Sequence, residues 1–121
     1  MKFKSPVRSK NIVPVIKFND ELAGTITLQQ SDEVFWGQMP PDTIYIHRFA
    51  VKRDYSGKRI GARVLEWAEQ FARSEGKNFL RLDCLATNPE IRRYYEKAGF
   101  VYVRDVPRFR WMASLYEKRL D

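Results

Sequence analysis

The stretch with the clearest chemical purpose is Ile44–Ala72. Ile44–Val51 alternates like a strand, Lys52–Lys58 is a polar turn, and Arg59–Ala72 returns to helical spacing. That order brings the main-chain N–H groups of Gly57, Lys58, Arg59, Ile60 and Gly61 to a helix N-terminus, where unpaired donors and the positive end of the macrodipole favour an anion. A phosphate-bearing ligand is the expectation. Gly57-Lys58 lacks the upstream glycine and the following Ser or Thr of a Walker loop, so a nucleotide loop of that kind is excluded. His47, the single histidine, shares a strand face with Tyr45, Phe49 and Val51, opposite Ile44, Ile46 and Arg48. On this pattern a partly buried histidine with a satisfied hydrogen bond outweighs a catalytic one. Cys84 is the single cysteine. It has no intrachain disulfide partner and no Cys or His at metal-ligand spacing, so no metal is expected.

The elements that must position these residues follow from periodicity. Ile60, Val64, Leu65, Ala68, Phe71 and Ala72 form the apolar stripe of the helix, which should end near Gly76. Upstream, Ile12–Phe18 and Leu22–Leu28 flank Asn19-Asp20 as a hairpin, and Gln29–Thr43 is irregular around the apolar island Val34-Phe35-Trp36, a strand or a rim. Downstream, Phe79–Leu85 sets Phe79, Arg81 and Asp83 against Leu80, Leu82 and Cys84, and strand, helix, strand implies parallel neighbours. Asn88 and Pro89 cap and open a second helix through Ile91, Tyr94 and Tyr95 to Ala98, ended by Gly99. Phe100–Arg104 and Phe109–Tyr116 are the last strands, the latter with Phe109, Trp111, Ala113 and Leu115 on one face.

Composition sets the outer bounds. With 121 residues, 44% of them hydrophobic, the chain can fill one core, giving a single α/β domain over 1–121 with a mobile basic arm at 1–11. No apolar run approaches the roughly eighteen residues of a membrane span, and the basic N-terminal stretch has no apolar segment of a signal peptide, so a cytoplasmic setting is expected. A formal charge of +7 attracts anions of every kind, whether nucleic acid, anionic lipid or a phosphorylated small molecule.

Two runs together carry a family resemblance: Val51-Lys52-Arg53-Asp54-Tyr55-Ser56-Gly57-Lys58-Arg59-Ile60-Gly61-Ala62, and Asn88-Pro89-Glu90-Ile91-Arg92-Arg93-Tyr94-Tyr95-Glu96-Lys97-Ala98-Gly99-Phe100. They resemble the signature regions of the GCN5-related N-acetyltransferases, over roughly residues 12 to 118. The resemblance implies a mixed α/β sheet of that fold and acetyl-CoA as cosubstrate, with no metal. It implies that the diphosphate sits on Ser56, Gly57, Lys58, Arg59, Ile60, Gly61 and Ala62, and that pantetheine pairs with the main chain of Phe49, Ala50 and Val51 where two strands splay. It places Asn88 near the cofactor arm and makes Tyr95 the acid that protonates the departing thiolate. An acceptor ammonium needs a base, for which His47 on the cleft strand is the first choice, Glu33 and Asp83 weaker ones. An N–H of Phe49 or Ala50 would polarise the thioester carbonyl.

The sequence departs from the family in two places. The first region usually reads Arg or Gln, two residues, Gly, one residue, Gly or Ala; here Ser56 stands first, Arg59 replaces the first glycine and Gly61 keeps the second. Family members also begin with a strand and two helices, which wall the acceptor site, whereas only about eleven residues precede the hairpin here. A shortened chain or a wall from another subunit is implied, and exposed apolar sheet surface would favour a homo-oligomer. The rival expectations are a catalytically impaired CoA-binding or scaffold protein of the same fold and, further off, a nucleic-acid-binding module. The acceptor, a primary amine on a small molecule or peptide, is left open, with the basic surface pointing to a small or acidic one.

Overall fold

The computed structural model describes residues 2–3, 11–12, 15–18, 21–52 and 59–121. Three short strands, β1 (Lys2–Phe3), β2 (Asn11–Ile12) and β3 (Val15–Phe18), precede the long β4 (Glu21–Gln29). A single-turn helix α1 (Glu33–Trp36) leads to β5 (Thr43–Val51), then α2 (Ile60–Ser74), β6 (Phe79–Leu85), α3 (Pro89–Lys97), β7 (Val101–Arg108) and β8 (Trp111–Arg119). The sheet order is β1-β3-β4-β5-β6-β8-β7, with β2 alongside β4, and β5 with β6 is its parallel pair. The expected hairpin is present as β3 and β4, Phe18 opposite Glu21. Its turn at Asn19-Asp20 lies outside the described residues.

One face of the sheet carries both longer helices. Ile60, Val64, Leu65, Ala68 and Ala72 of α2 and Tyr95 of α3 bury against Ile26, Leu28, Ile44, Ile46, Leu80, Leu82 and Tyr116. The stripe expected for α2 is this contact face, with Phe71 at its half-buried margin. The helix ends as its residues require: Gly76 takes φ 73° and the Lys77 N–H bonds back to the Ala72 carbonyl. On the other face a smaller cluster joins Trp36, Tyr45 and Leu115 under α1. Val34-Phe35-Trp36 is therefore neither strand nor rim but the body of α1, capped by Asp32, whose side chain accepts the Phe35 N–H.

Within the stretch expected as an arm, 1–11, Lys2 and Phe3 pair with β3 and Asn11 pairs with β4, where those strands present main-chain groups on their outer edge. Counting the island at α1, three expectations are corrected. Phe109 does not share a strand face with Trp111: Phe109 and Arg110 make the turn between β7 and β8, Arg110 has φ 67°, and the Phe109 ring is exposed.

The third correction concerns β5. Thr27 pairs with His47 but Thr25 pairs with Ala50, so β5 holds one extra residue, and Arg48 takes φ 49° in this bulge. The extra residue reverses the alternation. Phe49 and Val51 therefore turn to the helix-covered face with Ile44 and Ile46, leaving Tyr45 and His47 on the other. Gly24 makes the bulge possible, since a Cβ there would collide with the Ala50 carbonyl oxygen on the neighbouring strand. Replacing Gly24→Ala should lower the unfolding free energy in a urea titration by about 2 kcal/mol, the cost of overpacking against main chain.

Candidate active site

Parallel pairing of β5 with β6 runs from Thr43 opposite Phe79 to Ile46 opposite Leu82 and stops there. The closed end is held by Arg81. Its guanidinium is buried between the rings of Trp36 and Phe79, bonds Glu117 at 2.7 Å and Thr43 at 2.8 Å, and thereby ties β5, β6 and β8 together. Beyond Ile46 and Leu82 the cross-strand contact recorded among the described residues is the looser one of His47 Nδ1 with Asp83 Oδ1 at 3.8 Å. Main-chain groups of the bulged β5 segment are left facing a gap, which continues on the helix-covered face as a cleft of about 360 Å³ lined by Phe49, Ala50, Val51, Gly61, Ile91, Tyr94 and Tyr95.

The two helices meet this cleft with different chemistry. At α2 the N-cap residue Arg59 makes no side-chain cap hydrogen bond, and the first in-helix bond is Arg63 N–H to the Arg59 carbonyl at 3.2 Å. The N–H groups of Ile60, Gly61 and Ala62 thus have no partner among the described residues. The Ile60 side chain is core, so its N–H is what it offers the site. The Arg59 and Ala62 side chains line a separate cavity toward Lys97 and Lys118. Ser56, Gly57 and Lys58 lie outside the described residues.

From α3, Tyr95 projects into the cleft, 6% exposed, with its ring edge-on to Tyr94 at 5.5 Å and Phe100 at 5.9 Å. Burial, helped by neighbouring Cys84, Tyr94 and Asp83, holds its phenol well above the ordinary tyrosine range. Its hydroxyl has no hydrogen-bond partner among the described residues, so it is a protonated donor facing the cleft. The Tyr94 hydroxyl reaches across to Gly61, where a Cβ would collide with it. Tyr94 and Ile91 were not expected as lining residues, although Ile91, Tyr94 and Tyr95 stand at helical spacing on one face. Asn88 is not brought to the cleft: its side chain caps α3 by accepting the Ile91 N–H at 3.1 Å.

On the opposite face, at the mouth of the same gap, His47 stands between two carboxylates. Its Nε2 is 3.0 Å from Asp32 Oδ2 and its Nδ1 is 3.8 Å from Asp83 Oδ1. Both Nε2 and Asp32 Oδ2 are buried without a hydrogen bond among the described residues, although they stand at ion-pairing distance from each other. The satisfied histidine expected from the sequence is not what the structure holds. Burial pushes the Asp83 carboxyl up, against the opposing pull of His47. Ligand atoms of Asp32, His47 and Asp83 lie within 4.8 Å of one another. Glu33, the other weak candidate base, is exposed on α1.

The Acetyltransferase (GNAT) family model matches residues 4–100 of this chain. Among curated proteins, the chain is 35% identical over 99 residues to the uncharacterized N-acetyltransferase YesJ of Bacillus subtilis, covering 78% of this chain and 55% of that protein. It is 28% identical over 86 residues to the probable N-acetyltransferase camello of Xenopus tropicalis, covering 71% and 36%. The chain thus spans about half the length, or less, of these relatives. Among solved structures, a GNAT family acetyltransferase of Elizabethkingia anophelis with acetyl-CoA bound superposes with a TM-score of 0.74 at 17% identity, over 92% of this chain and 77% of that one. The ribosomal-protein-S18-alanine N-acetyltransferase of Escherichia coli superposes with a TM-score of 0.73 at 19% identity, over 92% and 70%.

Arg59 is the clearest departure from the signature, and its φ of 57° is left-handed. A glycine adopts that conformation without the Cβ clash an arginine suffers. Arg59→Gly should therefore raise the unfolding free energy, by up to about 1 kcal/mol after the extra chain entropy of glycine is subtracted, measured by chemical denaturation.

Proposed function

The chain belongs to the acetyltransferase (GNAT) family, and from that premise we propose that it transfers an acetyl group from acetyl-CoA to a primary amine by direct attack. The observation that carries the proposal is the end of β5–β6 pairing at Ile46 and Leu82. Past that point a candidate base, His47, stands on one face of the sheet and a candidate acid, Tyr95, on the other.

In this proposal the pantetheine arm lies along Phe49, Ala50 and Val51, which line the cleft, adding a strand where β6 has turned away. The diphosphate is received by the N–H groups at the start of α2, from Ile60 to Ala62, with Ser56, Gly57, Lys58 and Arg59 as the approach. An N–H of Phe49 or Ala50 polarises the thioester carbonyl. His47 accepts one proton from the acceptor ammonium, and the neutral nitrogen attacks the carbonyl carbon. The tetrahedral oxyanion collapses, the carbon–sulfur bond breaks, and the sulfur leaves with the bonding pair.

Tyr95 gives that sulfur its proton. A raised phenol pKa alone would make it a poor acid, but a thiolate released into the same apolar cleft is destabilised by the same desolvation, so the transfer remains balanced. Asn88 serves by fixing the start of α3, which aims Tyr95.

A CoA-binding protein without turnover is the second reading, favoured by Arg59 in place of the signature glycine. Calorimetric titration with acetyl-CoA, followed by a free-thiol assay over a panel of amines, separates the two. Tyr95→Phe should bind acetyl-CoA within about threefold of the parent and lower kcat by about 10²-fold. Equal turnover in the two forms would remove Tyr95 from its role, and tight binding without thiol release for any amine would favour the second reading.

A further inference from the structure

We infer that Asp32 and His47 form the seat for the ammonium group of a small, doubly cationic amine, which names the acceptor class of the acetyl transfer proposed above and rests on that reading. The seat adjoins a cavity of about 260 Å³ between the end of β4, α1 and Tyr45. Gln30, Ser31, Asp32, Glu33 and Gln38 contribute to its wall, and neither Lys nor Arg is among its described lining residues. In a chain of net charge +7 this cavity carries the opposite sign. Net charge alone suggested a small or acidic acceptor; within this inference the acceptor is small and basic, because nearby charges decide and distant ones are screened.

The second observation is independent of charge counting. The Asp32 side chain is 7% exposed, and while its other oxygen caps α1, Oδ2 is shut from water with no hydrogen bond. His47 Nε2, 3.0 Å away, is in the same condition. A buried carboxylate oxygen and a buried ring nitrogen without hydrogen bonds, side by side, call for a donor that can serve both. An ammonium has three N–H groups and no acceptor. Turning the Asp32 carboxylate toward the cavity admits it, one N–H to Oδ2 and one to Nε2. Once Asp32 has turned, Asp83 is the carboxylate left beside the ring, 3.8 Å from Nδ1, and a proton held on Nδ1 leaves the Nε2 lone pair to take one from the ammonium. Glu33, Gln30 and Gln38 then face the second cationic centre, while an acceptor carrying a carboxylate meets like charge.

A divalent metal ion is the rival occupant, since ligand atoms of Asp32, His47 and Asp83 lie within 4.8 Å of one another; the ammonium is preferred because the two carboxylates flank different ring nitrogens, at 3.0 and 3.8 Å.

The test compares 1,4-diaminobutane, 1-aminobutane and 4-aminobutanoate as acceptors by thiol release from acetyl-CoA, with calorimetric binding of each amine in parallel. Expected is the order diamine, monoamine, amino acid, with about tenfold or more in kcat/KM between the first and last. Asp32→Asn keeps a good helix cap and removes the charge; it should raise KM for the diamine about tenfold and leave KM for acetyl-CoA unchanged. An unaltered diamine KM in Asp32→Asn, absence of diamine binding, preference for 4-aminobutanoate, or tight Zn²⁺ binding lost in both Asp32→Asn and Asp83→Asn would each overturn the inference. Diamine binding that depends on Asp32 without thiol release would instead sink acetyl transfer and leave the cation seat standing.

Discussion

Parallel strands hold together by slanted main-chain hydrogen bonds, and the site in this protein exists because one such ladder is interrupted. β5 and β6 share four residue pairs, from Thr43 and Phe79 to Ile46 and Leu82. The arginine network around Arg81 locks the paired end, while the bulge at Arg48 rotates the remainder of β5 away. Unpaired main-chain donors and acceptors in a sheet interior are costly unless something else uses them. The cleft between Phe49, Gly61 and Tyr95 is where an extended ligand would do so.

The rest of the architecture serves that gap. Gly24 lets β4 approach the bulge, and α2 and α3 cover the helix side, presenting uncapped N–H groups and a buried phenol. On the far side, α1 is short, yet its cap residue Asp32 and its Trp36 close over Tyr45 and bring a carboxylate to His47. The proposed acid and base thus stand on opposite faces of one sheet, an arrangement that suits a direct displacement in which the amine enters from one side as the thiolate leaves toward the other.

Much of this was legible in the residues. The strand at Phe79–Leu85 and the helix opened by Asn88-Pro89 and closed before Gly99 lie where their residues place them because the signals are local: alternation, a cap, a proline and a glycine. The facing of Phe49 and Val51 was not, since strict alternation has no means of announcing an inserted residue that depends on Gly24 in another strand. Asp32 escaped notice for a related reason. Its partner His47 is brought near by β4–β5 pairing, Thr27 opposite His47, and no spacing along the chain encodes that contact. Asn88 was expected near the cofactor arm from family likeness; what the structure shows is its Oδ1 capping α3 by accepting the Ile91 N–H.

Amide hydrogen exchange with and without CoA tests the central claim most directly. The account predicts slowed exchange at the unpaired β5 segment from Phe49 to Val51 and at Ile60, Gly61 and Ala62, with little change in the paired segment Thr43–Ile46. Protection spread over the Lys97 and Lys118 side of α2, or none at β5 despite bound CoA, would contradict it.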